Sequence, residues 1–235
     1  MFRFLVDSSS YERINRGLIV LQSLYDLVPI ALFLVSSIIL LRVLYNKMVK
    51  GAYVLTAGGI IMVFSAGLLK GIHKFLIGAA QIDYSILDKQ FSPTQSIGFF
   101  LIFLGLLGMF TKFNKNYTKV RSTAIPIILI VIYNLTSINP YDSSLPFIAL
   151  MVVGALGMLS MLVYMAARFK DVKAIILFSI AIIAMFGMGY LSSGTTFERA
   201  WIQISVNTIY QGSYLLGVIL LKKDGLDKED CFYKE

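Results

Sequence analysis

Residues 145–167 read LPFIALMVVGALGMLSMLVYMAA, a run without one charged side chain. At about 1.5 Å per residue such a helix covers the roughly 30 Å of hydrocarbon in a bilayer. Six further runs of this kind occupy most of the rest: Leu27 to Tyr45, Ala52 to about Ile72, Gln95 to Thr111, Ser122 to Ser137, Val172 to Leu191 and Trp201 to Leu221. A water-soluble domain of 235 residues does not carry so many. The expected fold class is therefore an all-α integral membrane protein with seven transmembrane helices, which would make it a multi-pass protein of the cell membrane. Apolar residues make up 57% of the chain and charged residues 14%, and the charges fall almost entirely between the runs. The expected organisation is an outer interfacial amphipathic segment over 1–26, a seven-helix domain over 27–221 and a short charged cytoplasmic tail over 222–235.

The charges between the runs give an orientation. One set of ends carries fourteen Lys and Arg, from Arg42, Lys47 and Lys50 through Lys112, Lys115, Lys119, Arg121, Arg168, Lys170 and Lys173 to Lys222, Lys223, Lys228 and Lys234. The other carries seven: Arg3, Arg13, Arg16, Lys70, Lys74, Lys89 and Arg199. Cytoplasmic segments retain the basic residues, so the amino terminus is expected outside and the carboxyl terminus in the cytoplasm. The net charge of +8 is then a topology signal with some affinity for anionic headgroups, and not a footprint for nucleic acid. Residues 1–25 lack the pattern of a cleaved signal peptide; Ser9 and Glu12 have capping-box spacing, followed by Ile14, Leu18, Leu21 and Tyr25 at helical intervals. Cys231, the single cysteine, excludes a disulfide framework within the chain and reads as an ordinary exposed thiol of the tail.

A weak internal repeat runs through the chain. Pro29-Ile-Ala-Leu in the first span resembles Pro146-Phe-Ile-Ala-Leu in the fifth, and both lead to a basic turn, Asn46 to Lys50 and Arg168 to Asp171. Phe64 to Leu69 in the second span pairs with Phe186 to Leu191 in the sixth, and Gln95-Ser-Ile-Gly with Gln211-Gly-Ser-Tyr in the third and seventh. With the fourth span as linker this is a 3+1+3 arrangement of parallel repeats, a construction that places a binding site at the junction of the halves. In topology alone it resembles microbial rhodopsins and the SWEET-type sugar facilitators. The seventh span lacks the lysine a retinal Schiff base requires, and no proline precedes a glutamine as in the SWEET-related loop signature. No cofactor is expected.

Polar side chains inside apolar spans are costly and point to a site or to contacts between helices. On the seventh span Gln203, Asn207, Tyr210 and Tyr214 fall at i, i+4, i+7 and i+11 on one face, flanked by Ser205 and Gln211. Tyr133, Asn134 and Ser137 on the fourth span and Gln95 on the third are expected at the same outer level. Two readings stay open: a polar cavity wall, or amides and hydroxyls that hold helices together. Lys70, His73 and Lys74 share a face near the outer end of the second span, where they would hold an anion or else reach headgroup phosphates, with Asp83 and Asp88 near enough in sequence to neutralise them. Asp26, Asp142 and Glu198 read as solvated helix ends or helix-start charges.

Enzyme chemistry has little to work with. One histidine and one cysteine do not supply a metal set, and neither a nucleophile elbow nor a phosphate-cradling glycine loop occurs. The expectation is a carrier or facilitator of a small polar or anionic solute, with Pro29, Pro126 and Pro146 as kinks. The alternative is a ligand- or lipid-binding sensor that acts through another membrane or cytoplasmic protein. Besides the lipid bilayer, those are the partners expected.

Overall fold

The computed structural model describes residues 16–45, 47–110, 145–191 and 197–223. All the regular structure there is helical: α1 (Arg16–Leu44), α2 (Lys50–Ala80), α3 (Ser85–Phe110), α4 (Leu145–Arg168), α5 (Val172–Leu191) and α6 (Phe197–Leu221). All 6 are long and apolar enough to cross a membrane, so the chain is a multi-pass helical membrane protein. The expected span over Ser122 to Ser137, with Tyr133, Asn134 and Pro126, lies outside the described residues, as do Asp142, residues 1–15 and Cys231.

Two boundaries differ from the sequence reading. Residues 16–26 run into α1 without a break, and the stretch from His73 to Thr94 is helical except at 81–84. Both extensions have a local reason. Apolar residues persist through Leu18, Ile19 and Leu24, and through Phe75, Leu76 and Ile77, and their isolated polar neighbours do not interrupt helical hydrogen bonding. Four helix hydroxyls are satisfied within their own helices: Ser36 donates to Phe33 O at 2.8 Å, Thr56 to Ala52 O at 3.0 Å, Ser179 to Ile175 O at 2.8 Å and Ser205 to Trp201 O at 3.0 Å. These side chains therefore need nothing from lipid.

The turn from α4 to α5 is closed by backbone bonds from Lys170 N–H to Ala167 O (3.0 Å) and from Asp171 N–H to Ala166 O (2.9 Å). This is a Schellman ending, with Lys170 left-handed at φ 59°. A side chain in that conformation costs about 1 kcal/mol, which glycine does not incur. Lys170→Gly is therefore expected to raise the thermal unfolding midpoint of the detergent-solubilised protein; an unchanged or lower midpoint would show that lysine contacts offset the backbone strain.

Helix directions follow from contacts along each seam. Gly67 faces Ile30 while Gly78 faces Ile19, and Gly59 faces Gly98 while Gly105 faces Thr56, so α2 is antiparallel to both α1 and α3. Gly154 sits against Phe100 and Gly157 against Phe103, so α3 and α4 are parallel. Tyr25 stacks on Trp201 and Phe33 on Tyr214, which makes α1 and α6 parallel too. Among the described residues each helix packs on the next described helix and α6 closes on α1, giving a ring in chain order. The directions of α1–α2–α3 are repeated by α4–α5–α6, and every neighbour contact in the first trio has a counterpart in the second.

This arrangement gathers Arg42, Lys47, Lys50, Arg168, Lys170, Lys173, Lys222 and Lys223 at one end, with Asp171 as the one described acid among them. The opposite end mixes Lys74, Asp83, Asp88, Lys89, Glu198 and Arg199. Packing is equally one-sided. The largest fully buried side chains, Leu40, Leu44, Ile102, Leu106, Met158, Leu159, Leu162, Met165, Phe178, Tyr214 and Leu221, all lie between mid-depth and the basic end. That half is a dry core, held by burial and close packing.

Candidate functional site

Tyr214, on the polar stripe of α6, is 1% exposed, and its ring stacks on Phe33 of α1 at 6.3 Å between centroids. Phe33 in turn meets Phe99 of α3 edge-on, also at 6.3 Å. The three rings, from helices on different sides of the ring, close the bundle at mid-depth. They form a floor above the dry core.

Above the floor, toward the opposite end, the side chains between the helices become more polar. Tyr210 and Gln211 are buried one turn up α6, and Gln203, Asn207 and Gln95 are half-buried further on. The Tyr25–Trp201 stack at 5.8 Å and the Phe33–Tyr214 stack align α1 with α6. That alignment puts Asp26 of α1 at roughly the depth of Gln203 and Gln22 about one turn further out. Gln22 is 3% and Gln211 7% exposed, yet Gln22 Nε2 and Gln211 Oε1 have no hydrogen-bond partner among the described residues. A buried polar atom left unbonded costs about 1–3 kcal/mol.

Lys70, His73 and Lys74 share a face of α2 but turn to different partners. The Lys74 ammonium donates to Asp26 Oδ2 of α1 in a pair whose side chains are only 23% and 15% exposed. His73 Nε2 donates to Asp83 Oδ1 at 2.9 Å. The Lys70 ammonium stands 4.1 Å from the centre of the Phe91 ring on α3. Lys74 and His73 are thus each matched by a carboxylate, and the cluster ties α2 to α1, to its following turn and to α3.

Asp26 is accordingly not a solvated helix end, as the sequence reading had it. α1 begins well before it and carries it into the bundle, where its negative charge is neutralised by Lys74. The sequence reading also missed Gln22, because it placed residues 1–26 on the membrane surface. A signal was present: Gln22, Asp26, Pro29, Phe33, Ser36 and Leu40 recur at alternating intervals of four and three, the spacing of one buried helix face. Of the expected site residues, Gln203, Asn207, Tyr210, Gln211, Tyr214 and Gln95 lie on or above the floor, and Lys70, His73 and Lys74 lie at the rim. Tyr133 and Asn134 are outside the described residues.

Comparison with known protein families, curated proteins and solved structures finds no match to this chain.

Proposed function

We propose that the protein is a seven-span carrier or facilitator of a small polar solute in the cell membrane, with its amino terminus outside, its carboxyl terminus in the cytoplasm and a 3+1+3 repeat. The parallel direction of α3 and α4 supports the seventh crossing, because α3 ends at the basic end of the bundle and α4 begins at the opposite end. The gathering of Lys and Arg at one end supports the orientation. In this reading the polar half faces outward, and Phe33, Phe99 and Tyr214 separate it from the cytoplasmic half.

The observation that carries the solute site is the polar stripe of α6 above that aromatic floor, where Gln211 is buried and its Oε1 is left without a hydrogen-bond partner among the described residues. An acceptor among amides and hydroxyls suits a solute with hydroxyl or amide groups. Because Lys74 and His73 are already matched by Asp26 and Asp83, a neutral or zwitterionic solute fits better than an anion.

The test has two arms. A thermal-shift screen of purified protein against polar metabolites finds a solute through the mass-action stabilisation of the native state, and flux of that solute into proteoliposomes follows. Gln203→Ala with Asn207→Ala is expected to weaken binding about fivefold to tenfold for each hydrogen bond lost, as a net worth of about 1 kcal/mol implies. If the solute binds but no flux is measured, the reading of a sensor that works through a partner protein replaces that of a carrier. If the variant and the wild type respond alike, the stripe is helix glue.

A further inference from the structure

At the basic end, the turn between α4 and α5 opens into a recess of about 300 Å³ lined by Phe169, Lys170, Asp171, Val172 and Lys173. Asp171 caps α5: its Oδ1 accepts from Ala174 N–H at 3.0 Å, and its carbonyl accepts from Ile175 N–H at 3.1 Å. Two of the four N–H groups at the start of the helix are thereby satisfied. Those of Val172 and Lys173 have no partner among the described residues, and they carry the positive end of the dipole of a 20-residue helix. Lys170 and Lys173 flank them. Everything so far selects for an oxyanion.

The second observation qualifies that choice. Asp171 is 7% exposed, and its other oxygen, Oδ2, is buried without any hydrogen-bond partner. A bare carboxylate oxygen beside an anion repels it, unless the ligand also brings a proton to donate. The recess therefore matches a group with two parts, an oxyanion for the N–H groups and lysines and a neighbouring hydroxyl for Asp171 Oδ2. A third feature decides the source of that group. From the recess, Val172, Ile176, Ile180 and Ile183 form an exposed apolar stripe along α5 at intervals of four, four and three. An acyl chain anchored by its headgroup at the turn would lie along it.

We infer that the α4–α5 turn is a binding site for an anionic glycerophospholipid with a hydroxylated headgroup, of which phosphatidylglycerol is the simplest. Its phosphodiester sits on the Val172 and Lys173 N–H groups between the Lys170 and Lys173 ammonium groups, and a headgroup hydroxyl donates to Asp171 Oδ2. The contact joins two helices of the second trio, α4 and α5, at the short turn between them.

Native mass spectrometry of the full chain in neutral detergent tests this with four probes: phosphatidylglycerol, phosphatidylmethanol (an anionic phosphodiester without a headgroup hydroxyl), phosphatidylcholine and glycerol 3-phosphate. The wild type is expected to retain one phosphatidylglycerol with affinity about tenfold above phosphatidylmethanol, the effect of one hydrogen bond to a charged group. Phosphatidylcholine and glycerol 3-phosphate should bind more weakly still. Asp171→Asn keeps the cap and is expected to erase the preference for the hydroxylated headgroup, while Lys170→Gly with Lys173→Ala weakens both anionic lipids. Equal retention of phosphatidylglycerol and phosphatidylmethanol by the wild type overturns the role of Asp171, and that comparison does not depend on any variant folding. Retention of phosphatidylcholine to the same level overturns the anion site, and binding of glycerol 3-phosphate as tight as that of phosphatidylglycerol overturns the lipid.

Discussion

Gly98→Val is expected to destroy the folded bundle, whereas Gly58→Ala, one residue from the same seam, is expected to leave it intact. At Gly98 a Cβ would stand 2.9 Å from the Gly59 carbonyl oxygen and 2.7 Å from Val63 Cγ2; at Gly59 it would stand 2.5 Å from the Gly98 carbonyl oxygen. Apart from Val63 Cγ2 these contacts are to backbone, the Val63 N at 2.9 Å included, so turning one side chain aside does not relieve them, and α2 and α3 would have to separate along a seam that both trio and ring depend on. Overpacking a core by a methylene or two costs about 1–3 kcal/mol, and a branched side chain between two backbones belongs above that range. Whole-protein stability is only about 5–15 kcal/mol. Gly58 meets nothing within 4 Å, and alanine there gains up to about 1 kcal/mol of helix propensity. The fraction of monodisperse protein by size-exclusion chromatography, followed by a thermal melt, separates the two. Similar behaviour of both variants would mean that the α2–α3 seam is not the tight contact described.

Asp26→Ala is the second large effect. It leaves the Lys74 ammonium without its carboxylate in a site where that side chain is 23% exposed. Removing one member of a buried pair costs about 3–5 kcal/mol, and the partial exposure of Lys74 places this case toward the lower figure. Asp26→Leu with Lys74→Leu removes both charges together and is expected to recover most of the loss, because two apolar groups restore packing with no charge left to solvate. A double-mutant cycle on the unfolding midpoint measures the coupling. Additive losses from the two single substitutions would show that the pair contributes nothing beyond its separate members.

Both sites show how far the sequence could be read. The six apolar runs that fall on described residues correspond to helices, because hydropathy summed over about 20 residues is a local quantity and a bilayer responds to it directly. The start of α1 was placed too late for a related reason. Gln22, Ser23 and Asp26 lower the local hydropathy of a segment that the bundle nevertheless buries, and the partner that makes Asp26 tolerable lies 48 residues away on α2. The stripe of α6 was visible in its spacing, and Tyr210, Gln211 and Tyr214 do face inward. The rings that turn its lower end into a floor were not visible, since Phe33 and Phe99 are two among 17 phenylalanines in largely apolar helices. The glycines divide in the same way. Gly59 packs against backbone while Gly58 and Gly189 meet open space, a difference of helix face that composition does not carry.

By itself, the sequence determined that this chain crosses a membrane several times as helices, since each helix closes its own backbone hydrogen bonds and needs only an apolar surface to stay in lipid. It also determined which ends are basic. The tertiary structure alone decided that the helices stand in a ring in chain order, that α3 and α4 run in parallel, that Asp26 neutralises Lys74 and that Asp171 keeps one oxygen buried without a partner. Those facts depend on which faces meet, and helices that are apolar on nearly every side carry no local mark of their neighbours. The choice is made by glycine seams, ring contacts and charge pairs between residues distant in the chain.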